Sequence, residues 1–171
     1  MTTKTIEIEP LLDSLCQSLQ QQLQSRNINN PAMIGIHTGG AWIATRLHQM
    51  LGLSEPLGLL DISFYRDDFT RIGINPEVKP SHLPFSVDDR HIILVDDVLY
   101  TGRTIRAALN EIFDYGRPAS VLLATLVDRS NGRELPVQAD ACGTSLDVDA
   151  QQHVNLTGPD PLQLAIGQMI E

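Results

Sequence analysis

The chain holds few cysteines, no long apolar run and, beyond Arg133, no lysine or arginine at all. Each shortage removes a class of protein. Cys16 and Cys142 lie far apart and outside any CxxC spacing, which excludes a disulfide-stapled scaffold and predicts two reduced, structural thiols. The longest uninterrupted apolar runs, such as Ile92 to Val95, are four residues, against about 18 for a membrane-spanning helix. The opening MTTKTIEIEP has neither a basic n-region nor an apolar h-region, so no secretory signal is expected and the sequence predicts a cytoplasmic protein. His37, His48, His82, His91 and His153 show no ligand spacing, so a zinc site is not expected. Neither GxxxxGK[ST] nor GxGxxG occurs.

The absence of basic residues after Arg133 leaves Glu134, Asp140, Asp147, Asp149, Asp160 and Glu171 unopposed there, within a formal net charge of −9. A surface built to grip a phosphate backbone needs the opposite sign. Any nucleic-acid face would have to come from the first 133 residues.

What is present is an ordinary globular interior. With 171 residues, 42% hydrophobic, the chain predicts one domain spanning 1–171 with one core. Its apolar pattern alternates between two periods, which predicts an α/β fold. Leu11, Leu12, Leu15, Cys16, Leu19 and Leu23 recur at helical spacing after Pro10. Ala32 to His37 reads as a buried strand, Thr38–Gly39–Gly40 as a turn, and Ile43, Leu47, Met50 and Leu51 as a helix that Gly52 ends. A strand over Leu57 to Tyr65 leads into a long polar loop, Arg66 to Asp89, and loops of that length are usually functional. Ile92 to Val95 reads as a strand covered on both faces. Ile105, Ala108, Leu109, Ile112 and Phe113 mark the next helix, which Gly116 and Pro118 stop, and Val121 to Val127 makes another strand. Leu135 to Val137 and Val154 to Leu156 are short strand candidates in a remainder that caps the sheet.

The chemistry concentrates in HIILVDDVLYTGRTIRAALN, residues 91–110. Asp96 and Asp97 stand at a strand's carboxyl end, where open α/β sheets bind ligands. Paired carboxylates there can accept hydrogen bonds from neighbouring sugar hydroxyls or hold Mg²⁺ through water. Thr101, Gly102, Arg103 and Thr104 then bring backbone N–H groups and two hydroxyls to a helix N-terminus, where the macrodipole favours an anion. An Asp-Asp alone more often just ends a strand and caps a helix. Here the turn follows closely enough for one ribose 5-phosphate to touch both.

The string VDDVLYTGRTIRAAL resembles the phosphoribosyl-diphosphate (PRPP) binding motif of type I phosphoribosyltransferases. Its form is similar to that of the PyrR-type branch, pyrimidine operon attenuation regulators with uracil phosphoribosyltransferase activity. GIHTGGAWIATRL at 35–47, SFYRDDFT at 63–70 and LVDRSNGRELPVQAD at 126–140 extend the likeness over roughly Ile34 to Leu156. The resemblance implies a central, mostly parallel sheet flanked by helices with a small C-terminal hood, and a homodimer or larger homo-oligomer. It implies PRPP plus uracil giving UMP and diphosphate, with Mg²⁺ held by Asp96 and Asp97 through water or substrate. It places PRPP or UMP on Asp96, Asp97, Val98, Leu99, Tyr100, Thr101, Gly102, Arg103 and Thr104, and diphosphate on Thr38, Gly39 and Gly40. Arg66, with Asp67 and Asp68, opens the long loop, which the resemblance has closing over the site with Arg66 a candidate diphosphate ligand; it also sets Arg129 and Val154 near the base. Tyr100 stands where purine-using relatives commonly carry an acid, which favours a pyrimidine.

The departures concern regulation. His37, Gly39 and Gln138 occupy positions that are commonly basic in that branch, and SNG fills the turn after Arg129. Low RNA affinity is therefore expected. The enzyme is favoured over a nucleotide-sensing, RNA-binding regulator of pyrimidine genes with vestigial transferase activity.

Overall fold

The computed structural model describes residues 3–62 and 81–168. The Ser63 to Tyr65 end of the strand expected over Leu57 to Tyr65, the acidic pair Asp67 and Asp68, and Arg66 lie outside the described residues. The elements run β1 (Lys4–Ile6), α1 (Ile8–Ser25), β2 (Ala32–Ile36), α2 (Gly39–Leu51), β3 (Gly58–Leu60), β4 (His91–Leu99), α3 (Arg103–Tyr115), β5 (Ser120–Arg129), β6 (Ala141–Leu146), β7 (Gln152–Thr157) and β8 (Gln163–Gln168).

Five strands form a parallel sheet in the order β3-β2-β4-β5-β6. Its apolar runs are continuous because helices cover both faces. Ile93 and Val95 point to one side, packing with Leu12, Leu15 and Leu19 of α1 and Ile43 and Leu47 of α2. Ile92 and Leu94 point to the other, against Ile105, Ala108 and Ile112 of α3. The period of two along β4 thus feeds two separate apolar clusters. Each fully buried Leu or Ile contributes about 1.5–3 kcal/mol.

The helix boundaries follow local chemistry. Pro10 sits in the first turn of α1, where its missing N–H would lack an intrahelical partner anyway. Gly52, at φ 62°, ends α2 while its N–H bonds Gln49 O and that of Leu53 bonds His48 O. On α3, Ile105, Ala108 and Ile112 are buried as the spacing predicts, but Phe113 is 57% exposed and Glu111 only 6%. Glu111 turns inward because Ser81 meets it there.

A second sheet, β1-β8-β7, is antiparallel and joins the two ends of the described chain, with Lys4 opposite Ile166. It forms the expected hood: Leu156 and Leu164 enter the α1–α2 cluster. Gly158 lies against Trp42, where a β-carbon would be 3.2 Å from Cε3, so Trp42 is a packing residue. Leu135 to Val137 is a tight turn rather than a strand, closed by Val137 N–H to Leu135 O at 2.7 Å. The strand in this region is instead β6, whose Gly143 lets α1 approach: a β-carbon there would be 2.8 Å from Leu11 O. Among the described residues, no helix is long and apolar enough to cross a membrane.

Candidate active site

Chain order makes the crevice. From β2 the chain steps outward through α2 to β3, and from β4 it steps the other way through α3 to β5. The carboxyl ends of adjacent β2 and β4 therefore diverge into helices on different sides, the switch point at which such sheets bind ligands. Thr38, Gly39 and Gly40 follow β2, and Asp96 and Asp97 lie in the last part of β4.

These two segments touch. A β-carbon on Gly39 would lie 2.2 Å from Asp97 Oδ2, and one on Gly40 would lie 2.6 Å from Val95 O. Only hydrogen fits at either position, so the two glycines are what let the turn approach the acidic pair. The His37–Thr38 peptide in this turn is cis.

Asp96 is 6% exposed and Asp97 half-buried. The Asp97 N–H donates to Asp96 Oδ1 at 2.9 Å, and the Val98 N–H donates to Asp97 Oδ1 at 2.8 Å. Burial pushes the Asp96 carboxyl well above the ordinary carboxylate range, the Asp97 charge and side-chain hydrogen bond push the same way, and the Asp97 N–H opposes them.

Two cavities share this wall. One, of about 230 Å³, has His37, Thr38, Asp61, Asp96, Asp97 and Thr104 among its polar lining. The other, of about 150 Å³, lies along Tyr100, Thr101, Gly102 and Thr104 and also touches Asp96. Gly102, at φ 95°, turns the chain into α3, and a β-carbon there would press Val137 at 3.2 Å. Thr101 Oγ1 accepts the Arg103 N–H at 3.2 Å, and Thr101 O accepts the N–H groups of Glu134 and Leu135. The smaller cavity thus lies at a helix N-terminus, suited to an anion, beside a carboxylate-lined space suited to polyols and cations.

The donor set suits a hydrated divalent cation. Asp61, Asp96 and Asp97 bring hard oxygen ligands to one cavity. Among the described residues no group of three His, Cys, Asp or Glu side chains could hold a metal by itself. Substrate or water oxygens would have to complete the shell.

Tyr100 is gripped from several sides. The Arg129 guanidinium lies 3.8 Å from its ring centroid, and a β-carbon on Gly132 would lie 2.4 Å from its Cε2. Arg133 donates to Tyr100 O and to Asp128 Oδ1. Arg129, 5% exposed, also donates to Gln152 O, Val148 O and Asp149 O, tying this corner to the segment before β7. Arg103 pairs with Glu134 at 3.0 Å. Val154 lies in β7 opposite Ile166, packed on the α1–α2 cluster and outside both cavity linings. Sequence reasoning missed Asp61 and Arg133. Asp61, one residue past β3, carried the same signal as Asp96, an acid at a strand's carboxyl end; Arg133 lay within the quoted 126–140 segment.

Residues 2–161 match the family model described as "Phosphoribosyl transferase domain". The chain is 63% identical over 164 residues to a protein of Nitrosococcus oceani named "Bifunctional protein PyrR", covering 95% of this chain and 92% of that one. A Pseudomonas aeruginosa protein of the same name is 55% identical over 154 residues, covering 90% of each. Among solved structures, a hypoxanthine-guanine phosphoribosyltransferase from Bacillus anthracis superposes with a TM-score of 0.69 at 13% identity, covering 98% of this chain and 100% of that one. A hypoxanthine phosphoribosyltransferase from Staphylococcus aureus gives 0.64 at 20% identity over 85% of this chain and 78% of its own. These superpositions concern the fold.

Proposed function

The chain belongs to the phosphoribosyl transferase domain family, and from that premise we propose that it is a uracil phosphoribosyltransferase of the PyrR type, converting PRPP and uracil to UMP and diphosphate. The observation that carries this reading is the pair of adjoining cavities sharing Asp96, one lined by carboxylates and one set at the start of α3.

In this reading the amides and hydroxyls of Thr101 to Thr104 receive the 5-phosphate, while Asp96 and Asp97 hold the ribose hydroxyls. The bond from ribose C1 to diphosphate breaks with its electron pair going to the leaving oxygen, the bond from C1 to the uracil nitrogen forms as that nitrogen's proton passes to water, and C1 carries oxocarbenium-like positive charge between those events. The neighbouring carboxylates favour that charge electrostatically, and the amides of Thr38 to Gly40 face the departing anion. What Mg²⁺ supplies when bound is neutralisation of the diphosphate, with Asp61, Asp96 and Asp97 available to hold it through water or substrate. Arg66 is assigned to the diphosphate on sequence grounds. Arg129, stacked on Tyr100, and Val154 are assigned to the base side on sequence grounds. No covalent nucleophile is required.

We read residues 1–171 as one transferase domain acting in the cytoplasm as a homodimer or larger homo-oligomer. Regulation of pyrimidine genes through RNA is the second activity of this reading, and the net charge of −9 weighs against tight binding. The test is UMP formation from PRPP and uracil with Mg²⁺, with orotate and hypoxanthine as competing bases. Uracil-dependent diphosphate release, lost in Asp97→Asn, is expected; release with hypoxanthine but not uracil overturns the pyrimidine assignment.

A further inference from the structure

We propose that Glu111 is a positioning residue for phosphoribosyl transfer, acting through Ser81 to fix the backbone that carries Asp61 into the reaction cavity. The inference rests on the transferase reading above and names a part of the site that the PRPP motif does not contain.

The observation is a buried polar relay between two elements. Glu111 lies on α3, the helix that begins at the anion-binding turn, and is 6% exposed. Its Oε1 accepts the Ser81 hydroxyl at 2.5 Å, and its Oε2 is buried without a hydrogen-bond partner. The Ser81 Oγ accepts in turn from the Asp61 N–H at 2.9 Å. Asp61, 8% exposed, lines the cavity that also holds Asp96 and Asp97. Ser81 thus clamps a backbone position far from it in sequence onto the helix that cradles the phosphate.

A carboxyl is a costly way to fill space. Burying one with an unpaired oxygen is unfavourable, and an apolar side chain of similar volume would avoid that cost. Burial, with Asp61 and Asp114 nearby, raises the Glu111 pKa, and the Ser81 bond only partly opposes this. What the carboxyl provides that an apolar group does not is a directed acceptor, which orients the Ser81 hydroxyl so that its lone pair meets the Asp61 N–H. A cavity wall is thereby set by hydrogen bonds rather than by packing alone, and small displacements of such walls are expensive in rate.

The experiment measures binding of Mg²⁺–PRPP to the full chain by calorimetry, alongside kcat, KM and Tm. Glu111→Ala and Ser81→Ala are each expected to weaken PRPP binding about 10-fold, with KM for PRPP changing more than kcat, at the level a lost hydrogen bond in a positioned network gives. Glu111→Gln, which keeps an acceptor oxygen, should recover most of the affinity. In an Asp61→Asn background, Glu111→Ala should weaken binding much less than it does in the wild type, because the group it positions has been altered. The inference is overturned if Glu111→Ala lowers Tm while leaving PRPP affinity intact, or if its effect is undiminished beside Asp61→Asn. If Glu111→Ala does not fold, Glu111→Gln and Ser81→Ala carry the same cycle with Asp61→Asn. Wild-type protein that binds PRPP but makes no UMP defeats the uracil reading and leaves this cycle intact.

Discussion

Gly39 and Asp97 come from different strand ends, yet a β-carbon on the first would lie 2.2 Å from Oδ2 of the second. The contact joins the turn after β2 to the acidic pair of β4. It requires a glycine, since any side chain pushes the carboxylate or the turn away.

Gly39→Ala is therefore expected to cost activity rather than stability. Alanine is the better helix former by about 1 kcal/mol, and Gly39 opens α2, so the fold should persist. Displacing Asp97 by about 1 Å should lower kcat/KM for PRPP by about 100-fold. Steady-state kinetics with circular dichroism checks it; near wild-type kcat/KM would show that Asp97 relocates without loss.

Asp96 makes a prediction about pH. Its folded-state pKa is raised well above the ordinary value, chiefly by burial, so the folded protein holds that proton more tightly than the unfolded chain. Stability from this group is complete below about pH 4 and declines as pH rises towards the elevated pKa. Asp96→Asn removes the dependence and keeps an oxygen for the Asp97 N–H. Ligand-free Asp96→Asn should have a higher Tm than wild type at pH 7, with the gap shrinking towards pH 4, while UMP formation is lost. Melting curves across that range decide it, and a constant gap would contradict the assignment.

Arg129 holds three carbonyls and the face of Tyr100 while 5% exposed. Arg129→Ala should cost about 3 kcal/mol by leaving acceptors unpaired in a buried place. Arg129→Lys should recover only a part, because an ammonium group lacks the planar fork that reaches several carbonyls while stacking. Urea denaturation provides the measurement; a loss below about 0.5 kcal/mol, the scale of a surface substitution, would mean that this corner is not held as described.

RNA binding tests the weight given to charge. With a net charge of −9, affinity at physiological salt should be weak and not altered by UMP. Tight, UMP-dependent and salt-sensitive binding of RNA to the wild-type chain would restore regulation to equal standing with catalysis.

The strand, turn and helix from His91 to Tyr115 were legible in the residues because their signals are local. An apolar run, two acids, a glycine and a helical period lie in one stretch, and β4, the turn and α3 follow that order. The hood was legible only as a remainder. Its strand β1 pairs with β8 from the far end of the chain, and β6 carries Gly143 where β-branched residues usually signal a strand. Phe113 was misplaced, and Glu111 passed over, for a related reason: the period identifies a helix, but which flank meets the core depends on what packs there.

Order along the chain determined the parallel layers and the acid pair beside the glycine turn that opens α3, since backbone geometry and side-chain period act over a few residues. Tertiary structure alone decided that Gly39 meets Asp97, that Asp61 joins the same cavity and that Glu111 meets Ser81. Those pairings depend on which strands become neighbours, and that choice follows from burying both faces of one sheet at once.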